Sequence, residues 1–118
     1  MIQSVSNTIT GNGTMYLGSR LRGKILSIKI VAGAVTASWI LTVTGETTEM
    51  PILYDDDLGA SATTWRHPRS AANQVADGAA ITDSALDIPI LNERIKCVVA
   101  AAGTSADVTI TVFYDSEL

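Results

Sequence analysis

The sequence predicts an all-β protein, an antiparallel β-sandwich or jelly-roll-like barrel of six to eight strands, and three observations predict it. Apolar and polar residues alternate with period two along most of the chain and with period 3.6 almost nowhere. The apolar content comes mainly from Ala, Val, Ile and Leu, with abundant Thr and Ser, a composition suited to packed β layers. Short connections with turn residues separate the alternating runs. The chain of 118 residues suffices for one domain, and at that length the core needs no metal or disulfide. Hydrophobic residues at 47% against charged residues at 17% exclude a disordered chain.

Residues 1–18 are rich in Ser, Thr, Asn and Gly and are expected as an edge strand or an extended arm able to cross onto a neighbouring subunit. The β-domain proper is expected over 19–118. In "KILSIKIVAG" Leu26, Ile28 and Ile30 share one face and Ser27 and Lys29 the other. In "TASWILTVTG" Trp39, Leu41 and Val43 alternate with Ile40, Thr42 and Thr44, and Gly45 ends the run. "EMPILY" places Met50, Ile52 and Tyr54 together, and Pro51, without a ladder donor, implies that the strand lies at an edge or begins irregularly. Leu86, Ile88 and Ile90 alternate around Pro89, which again implies an edge or an irregular start. Ile95, Cys97, Val99 and Ala101 form the next face, and Val108, Ile110, Val112 and Tyr114 the last. "GTSAD" between these two runs reads as a hairpin connection. Residues 55–84 alternate weakly and are expected as one long central loop, ordered for function or by a partner, with at most a helical turn in "SAANQVADGAA".

The residues exclude most chemistry. A net charge of −4 argues against nucleic acid as the main partner. No stretch approaches the roughly 18 apolar residues of a membrane span, and the N-terminus lacks the basic and apolar regions of a signal peptide, so the chain is expected to work in water without a membrane. The single cysteine, Cys97, lies in an apolar run and reads as a core residue. In "YDDDLGASATTWRHPRS" Asp55 and Asp57 meet the first two positions of a calcium loop, but Gly59 and Arg66 stand where the third and closing ligands belong. A non-standard ion site built from Asp55, Asp56 and Asp57, with Asp55 and Asp57 as its candidate ligands, stands against the plainer account of adjacent acids on a solvated turn. His67, the only histidine, precedes Pro68 in an extended segment, and no nucleophile motif, phosphate loop or metal-spaced cluster accompanies it. No cofactor, small-molecule substrate or catalytic residue is expected, and the chain is not read as an enzyme.

Recognition remains. Trp65, flanked by Arg66 and Arg69 with Pro68 restricting the backbone, is the type of group that anchors protein interfaces. Met15 and Tyr16, at the end of the N-terminal segment, are further interface candidates. In the plainer account Trp65 seals the end of the sandwich while the arginines pair with Asp55 to Asp57 or with Glu93. Apolar residues on both faces of some strands, such as Ile40 beside Leu41 and Val98 beside Val99, are consistent with outer faces covered by a partner or by the second layer.

The succession "GKILSIKIVAG", "LTVTGETTEMPIL", "WRHPRS", "DIPILNERIKCVVAAAG" and "VTITVFY" resembles a family of small structural proteins of tailed bacteriophages and prophages, over about Gly23 to Tyr114. Pro68 with Arg69 and the run Glu93 to Val99 are its most distinctive pieces. The resemblance implies a virion component, a capsid decoration or cement protein, β-rich and often trimeric. Its implied partners are the major capsid protein and copies of itself, and its implied location is the outer surface of the head, assembled in the host bacterial cytoplasm. A tail, neck or head-tail joining component would instead form rings. A fibre-type carbohydrate-binding domain would ordinarily expose more aromatics than two Trp, three Tyr and one Phe supply.

Overall fold

The computed structural model describes residues 1–35, 38–59, 62–69, 86–104 and 106–116, apart from the Asp57 side chain. Seven antiparallel strands and no helix are present among them: β1 (Ile2–Thr10), β2 (Gly13–Gly33), β3 (Trp39–Gly45), β4 (Pro51–Leu58), β5 (Ala62–Arg66), β6 (Ile88–Ala100) and β7 (Asp107–Asp115). Their order is β1-β7-β2-β6-β3-β4, with β5 also paired to β2.

The 21-residue β2 organises this arrangement. Its first part, Gly13 to Ile25, pairs with β6; its second, Lys24 to Gly33, lies between β7 and β5. One row of strands is therefore β1-β7-β2-β5 and the other β2-β6-β3-β4, and β2 passes from one to the other just after Gly23, at Lys24 and Ile25, which pair with both β6 and β7. Ile28, Ile110 and Val112 of the first row and Leu41, Val43 and Cys97 of the second belong to one hydrophobic core and are fully buried. An antiparallel sheet needs only one covered face, and here each row covers the other.

Each open margin of this sandwich is stitched by a polar contact. Beside β1, Asn7 Nδ2 donates to the Tyr16 carbonyl on β2 at 3.1 Å. Beside β4 and β5, Arg66 Nε donates to Asp55 Oδ2 at 2.7 Å.

Alternation is preserved in Trp39, Leu41 and Val43, all buried, with Ile40, Thr42 and Thr44 half-buried outside them. It is shifted wherever a strand bulges, because one extra residue exchanges the two faces. Leu26 is the extra residue between Ile25/Tyr114 and Ser27/Phe113, so Ile25 joins Ile28 and Ile30 in the core and Leu26 does not. Ile52 is skipped in the β3–β4 register; Leu53 then pairs Val43, Tyr54 pairs Thr42, and the Tyr54 side chain is 65% exposed rather than facing inward with Ile52. Asn92, at φ 58, interrupts β6, so inward Ile88 and Ile90 give way to inward Glu93, Ile95, Cys97 and Val99. Asparagine tolerates that left-handed conformation better than most residues. The two runs around it are one strand.

Two connections differ from expectation. β6 and β7 are not a hairpin: β6 pairs with β2 and β3, β7 with β1 and β2. Their connection crosses between the rows, because both runs use β2 as their ladder partner at opposite ends of its length. Asn12 Oδ1 accepts from Ala102 N at 2.8 Å and Gly11 N donates to Ala106 O at 2.7 Å, tying this crossing to the β1–β2 turn. The second difference concerns 55–84: β4 continues through Leu58, and Ala62–Arg66 forms β5. The helical turn expected within 70–80 lies outside the described residues.

Pro51 and Pro89 sit where their missing donors cost nothing. Pro51 opens β4, the last strand of the order. Pro89 is near the start of β6, on a stretch that pairs only with β2, since β3 reaches β6 at Ile95 to Ala100.

Candidate partner-binding site

The second part of β2 carries β5 and β7 on its flanks, and this places Trp65 on an outer sheet face. Lys29 pairs Trp65 on one side and Thr111 on the other, so their side chains share that face. The Trp65 ring stacks on Phe113 with centroids 5.6 Å apart and planes at 27°, and the Lys29 ammonium stands 5.7 Å from its centroid. Trp65 remains 46% exposed and Val31, on the same face, 38%. The result is an apolar platform on a sheet, with a cation and the Thr109 and Thr111 hydroxyls beside it.

The rest of the segment fans out. Arg66 points to the β4 margin, held by Asp55 and by the Trp65 carbonyl at 3.2 Å. Pro68 is buried and His67 exposed. Arg69 Nη1 donates to the Pro68 carbonyl at 2.7 Å and the Leu26 carbonyl at 3.1 Å, and its Nε lies 3.4 Å from Asp87 Oδ1. The Leu26 bulge thus turns a carbonyl towards Arg69. Arg66→Ala is expected to cost about 1–3 kcal/mol in thermal unfolding, because it takes a charged donor from the Asp55 carboxylate, whose side chain is only 11% exposed.

Met15 requires a correction as an interface candidate: it is 5% exposed and belongs to the core, where it has no surface to offer a partner. Tyr16, its neighbour, faces outward and is half-buried under the Arg94 guanidinium, 4.1 Å above its ring. Tyr16 and Trp65 lie on different rows of the sandwich and form no common patch. Asp55 and Asp56 belong to β4 and not to a turn, with Asp55 engaged by Arg66. Among the described residues no three His, Cys, Asp or Glu side chains come together to hold a metal, and no pocket forms.

Glu93, expected only as an alternative partner for the arginines of the Trp65 segment, is instead the centre of a clasp on the β3–β4 turn. It is 6% exposed, and its Oε1 accepts from Thr47 N at 2.7 Å and Thr48 N at 2.9 Å while Oε2 accepts from Thr48 Oγ1 at 2.7 Å. Burial pushes this carboxyl up, but the bonds from Thr48 and Thr47 outweigh it and hold the pKa below the usual range. A Cβ on Gly45 would stand 2.5 Å from Glu93 Oε2, so glycine leaves room for the clasp. Alongside, Arg94 pairs with Glu46, and the bond from Arg94 lowers the Glu46 pKa. Two adjacent residues of β6 thereby fix the β3–β4 turn. The signal was present: Glu93 is in phase with Ile95, Cys97 and Val99, an acid on a buried face.

Cys97 is fully buried and burial pushes its thiol up to about 12. A thiol reagent at neutral pH is expected to leave the folded protein unmodified and to react only after denaturant; rapid labelling of the native protein would contradict this packing.

Neither a family model nor a curated protein matches the sequence. Solved structures do. A chain of the cyanophage Pam1 capsid asymmetric unit matches with a TM-score of 0.59 at 15% identity, over 96% of this chain and 83% of that one. A chain in the acidic stable capsid structure of the Helicobacter pylori bacteriophage KHP30 matches with a TM-score of 0.54 at 17% identity, over 98% and 89% respectively. The fold of this chain is one found, almost from end to end, in the capsids of two bacteriophages.

Proposed function

We propose that the protein is a non-enzymatic structural component of a tailed-phage virion, a decoration or cement protein that binds the outer surface of the head and stabilises the shell. The observation that carries this reading is the near-complete likeness to chains of two phage capsids. The family resemblance in Gly23 to Tyr114 points the same way, and the acidic balance suits a place outside the shell, away from packaged DNA. Its partners are then the major capsid protein and two further copies of itself in a homotrimer, assembled in the host bacterial cytoplasm.

The Trp65 platform is the surface assigned to the partner. An aromatic ring backed by Phe113, half-open to solvent and next to Lys29, gives a large contact area at small loss of side-chain freedom. Trp65→Ala with Arg69→Ala is expected to weaken binding to phage heads at least about tenfold, as befits loss of an interface anchor. His67→Ala should leave binding unchanged. Equal binding by the double variant would remove the platform from the interface.

The solution mass by light scattering behind size exclusion tests the assembly. Three or six times the 12.4 kDa of one chain, for single or paired clusters, supports a trimeric cement protein. A larger ring would transfer the reading to a tail, neck or head-tail joining component.

A further inference from the structure

We propose that two copies of this chain pair edge to edge through β1, antiparallel about a twofold axis at Ser6. The inference stands on the strand itself and goes beyond the shell role proposed above.

A strand at a sheet edge presents unpaired backbone groups, and proteins blunt such edges with charge, proline or bulges. The far margin of this sandwich has all three: β4 carries Pro51, Asp55, Asp56 and two register shifts, and the short β5 ends in Arg66. The near margin has none of them. β1 pairs β7 without a bulge over nine residues, from Ile2/Asp115 to Thr10/Asp107, and ends the strand order. From Met1 to Ser19 there is no Asp, Glu, Lys or Arg, in a chain with eight basic and twelve acidic side chains. That stretch includes the first part of β2, which runs beneath β1, so the uncharged margin is two strands deep. One local device is present, Asn7, whose Oδ1 accepts from Thr8 N at 2.8 Å and whose Nδ2 donates to the Tyr16 carbonyl at 3.1 Å, so the copy must take the place of Asn7 at Thr8 N.

The sequence of β1 makes a second copy its fitting occupant. Full overlap of Ile2–Thr10 with its copy sets Ser6 against Ser6, Ser4 against Thr8, Val5 against Asn7, Gln3 against Ile9 and Ile2 against Thr10. Each pair joins two odd or two even positions, so the faces match. Ser6 and Thr8 already engage hydroxyls of β7: Thr111 Oγ1 donates to Ser6 Oγ at 3.0 Å, and Thr8 and Thr109 hydroxyls meet at 2.8 Å. The copy would extend this row with its own hydroxyls, pairs that stabilise antiparallel strands. No charge opposes like charge anywhere along the contact. An isologous contact of this kind leaves the Trp65 platform free, and on a shell it would join neighbouring clusters across twofold axes.

The test is Ser6→Cys protein treated with a short bis-maleimide and separated under denaturing conditions. Cys97 is buried and stays silent. A twofold axis places each introduced thiol beside one other, so well over about two-thirds of the chains should run as linked pairs, whereas a threefold cluster can link at most two chains in three. Thr109→Cys, on the same face but one strand inward, should link little. Ser6→Lys should raise the concentration at which pairs separate by about tenfold, through like charges meeting on the axis, with the circular dichroism spectrum of the folded chain unchanged because Ser6 is exposed. Linkage at or below two-thirds in a protein that melts normally, or an assembly mass indifferent to Ser6→Lys, would overturn the pairing.

Discussion

Gly23→Ala is expected to destabilise the fold by at least about 3 kcal/mol, which lowers the melting temperature by roughly 10 °C or more. Gly23 lies just before β2 passes between the two rows, with φ at 138°, a conformation that side chains rarely adopt. A Cβ there would collide with the Asp115 carbonyl, far inside 3.0 Å, at the end of the β2–β7 ladder. The methyl group must therefore either twist β2 out of its path or push the end of β7 away. Gly33, at the other end of the same ladder, has nothing within 4 Å of an added Cβ, and Gly33→Ala should change stability by no more than about 0.5 kcal/mol. Equal effects of the two substitutions in thermal melts would show that β2 does not make its crossing next to Gly23.

The second large effect belongs to Glu93. Glu93→Ala leaves two backbone N–H groups and a hydroxyl of the Thr47–Thr48 turn without their acceptor and is expected to cost about 3 kcal/mol. Its pH dependence follows from the lowered pKa. The folded protein holds the carboxylate more tightly than the unfolded chain, whose glutamate titrates near about 4.3. The stabilisation is therefore complete above that pH and is lost as pH falls through the lower, folded value. The melting-temperature gap between wild type and Glu93→Ala should be widest at neutral pH and should narrow below about pH 4. A gap that stays constant from neutral to acid pH would mean that the ionised carboxylate contributes nothing.

The large apolar strands were legible because their burial obeys alternation without interruption. Trp39, Leu41 and Val43, then Val108, Ile110, Val112 and Tyr114, occupy the faces their spacing implies. The bulges at Leu26, Ile52 and Asn92 were not legible, since nothing in a single sequence marks the residue at which a ladder skips. Each one reversed the faces beyond it, which moved Tyr54 outward and brought Ile25 in. The β6–β7 hairpin was misread for a related reason: a short Gly-containing connection fits a hairpin and a crossing between layers equally well, and only the ladder partners decide. β5 was missed because "ATTWR" is short and its alternation is carried by threonines.

Of the candidate site, the Trp65 segment was legible as a cluster of residue types, but not its geometry. The platform depends on Phe113, nearly fifty residues away in sequence, arriving beside Trp65 through the common partner β2. The pairing of an arginine with the acidic run was foreseeable from charge alone, and Arg66 with Asp55 fulfils it. Met15 was misplaced because "TMYLG" was assigned to the N-terminal arm; its alternation with Leu17, buried beside it, was the sign, and β6 supplies the partner strand.

The most direct test of the virion role is co-sedimentation of the purified protein with heads assembled from the major capsid protein encoded in the same genome. A decoration protein should bind saturably at a fixed ratio of copies per head, with decorated heads more resistant to heat than bare ones. A protein that stays in the supernatant at every concentration, while the heads melt as they do alone, would contradict that role.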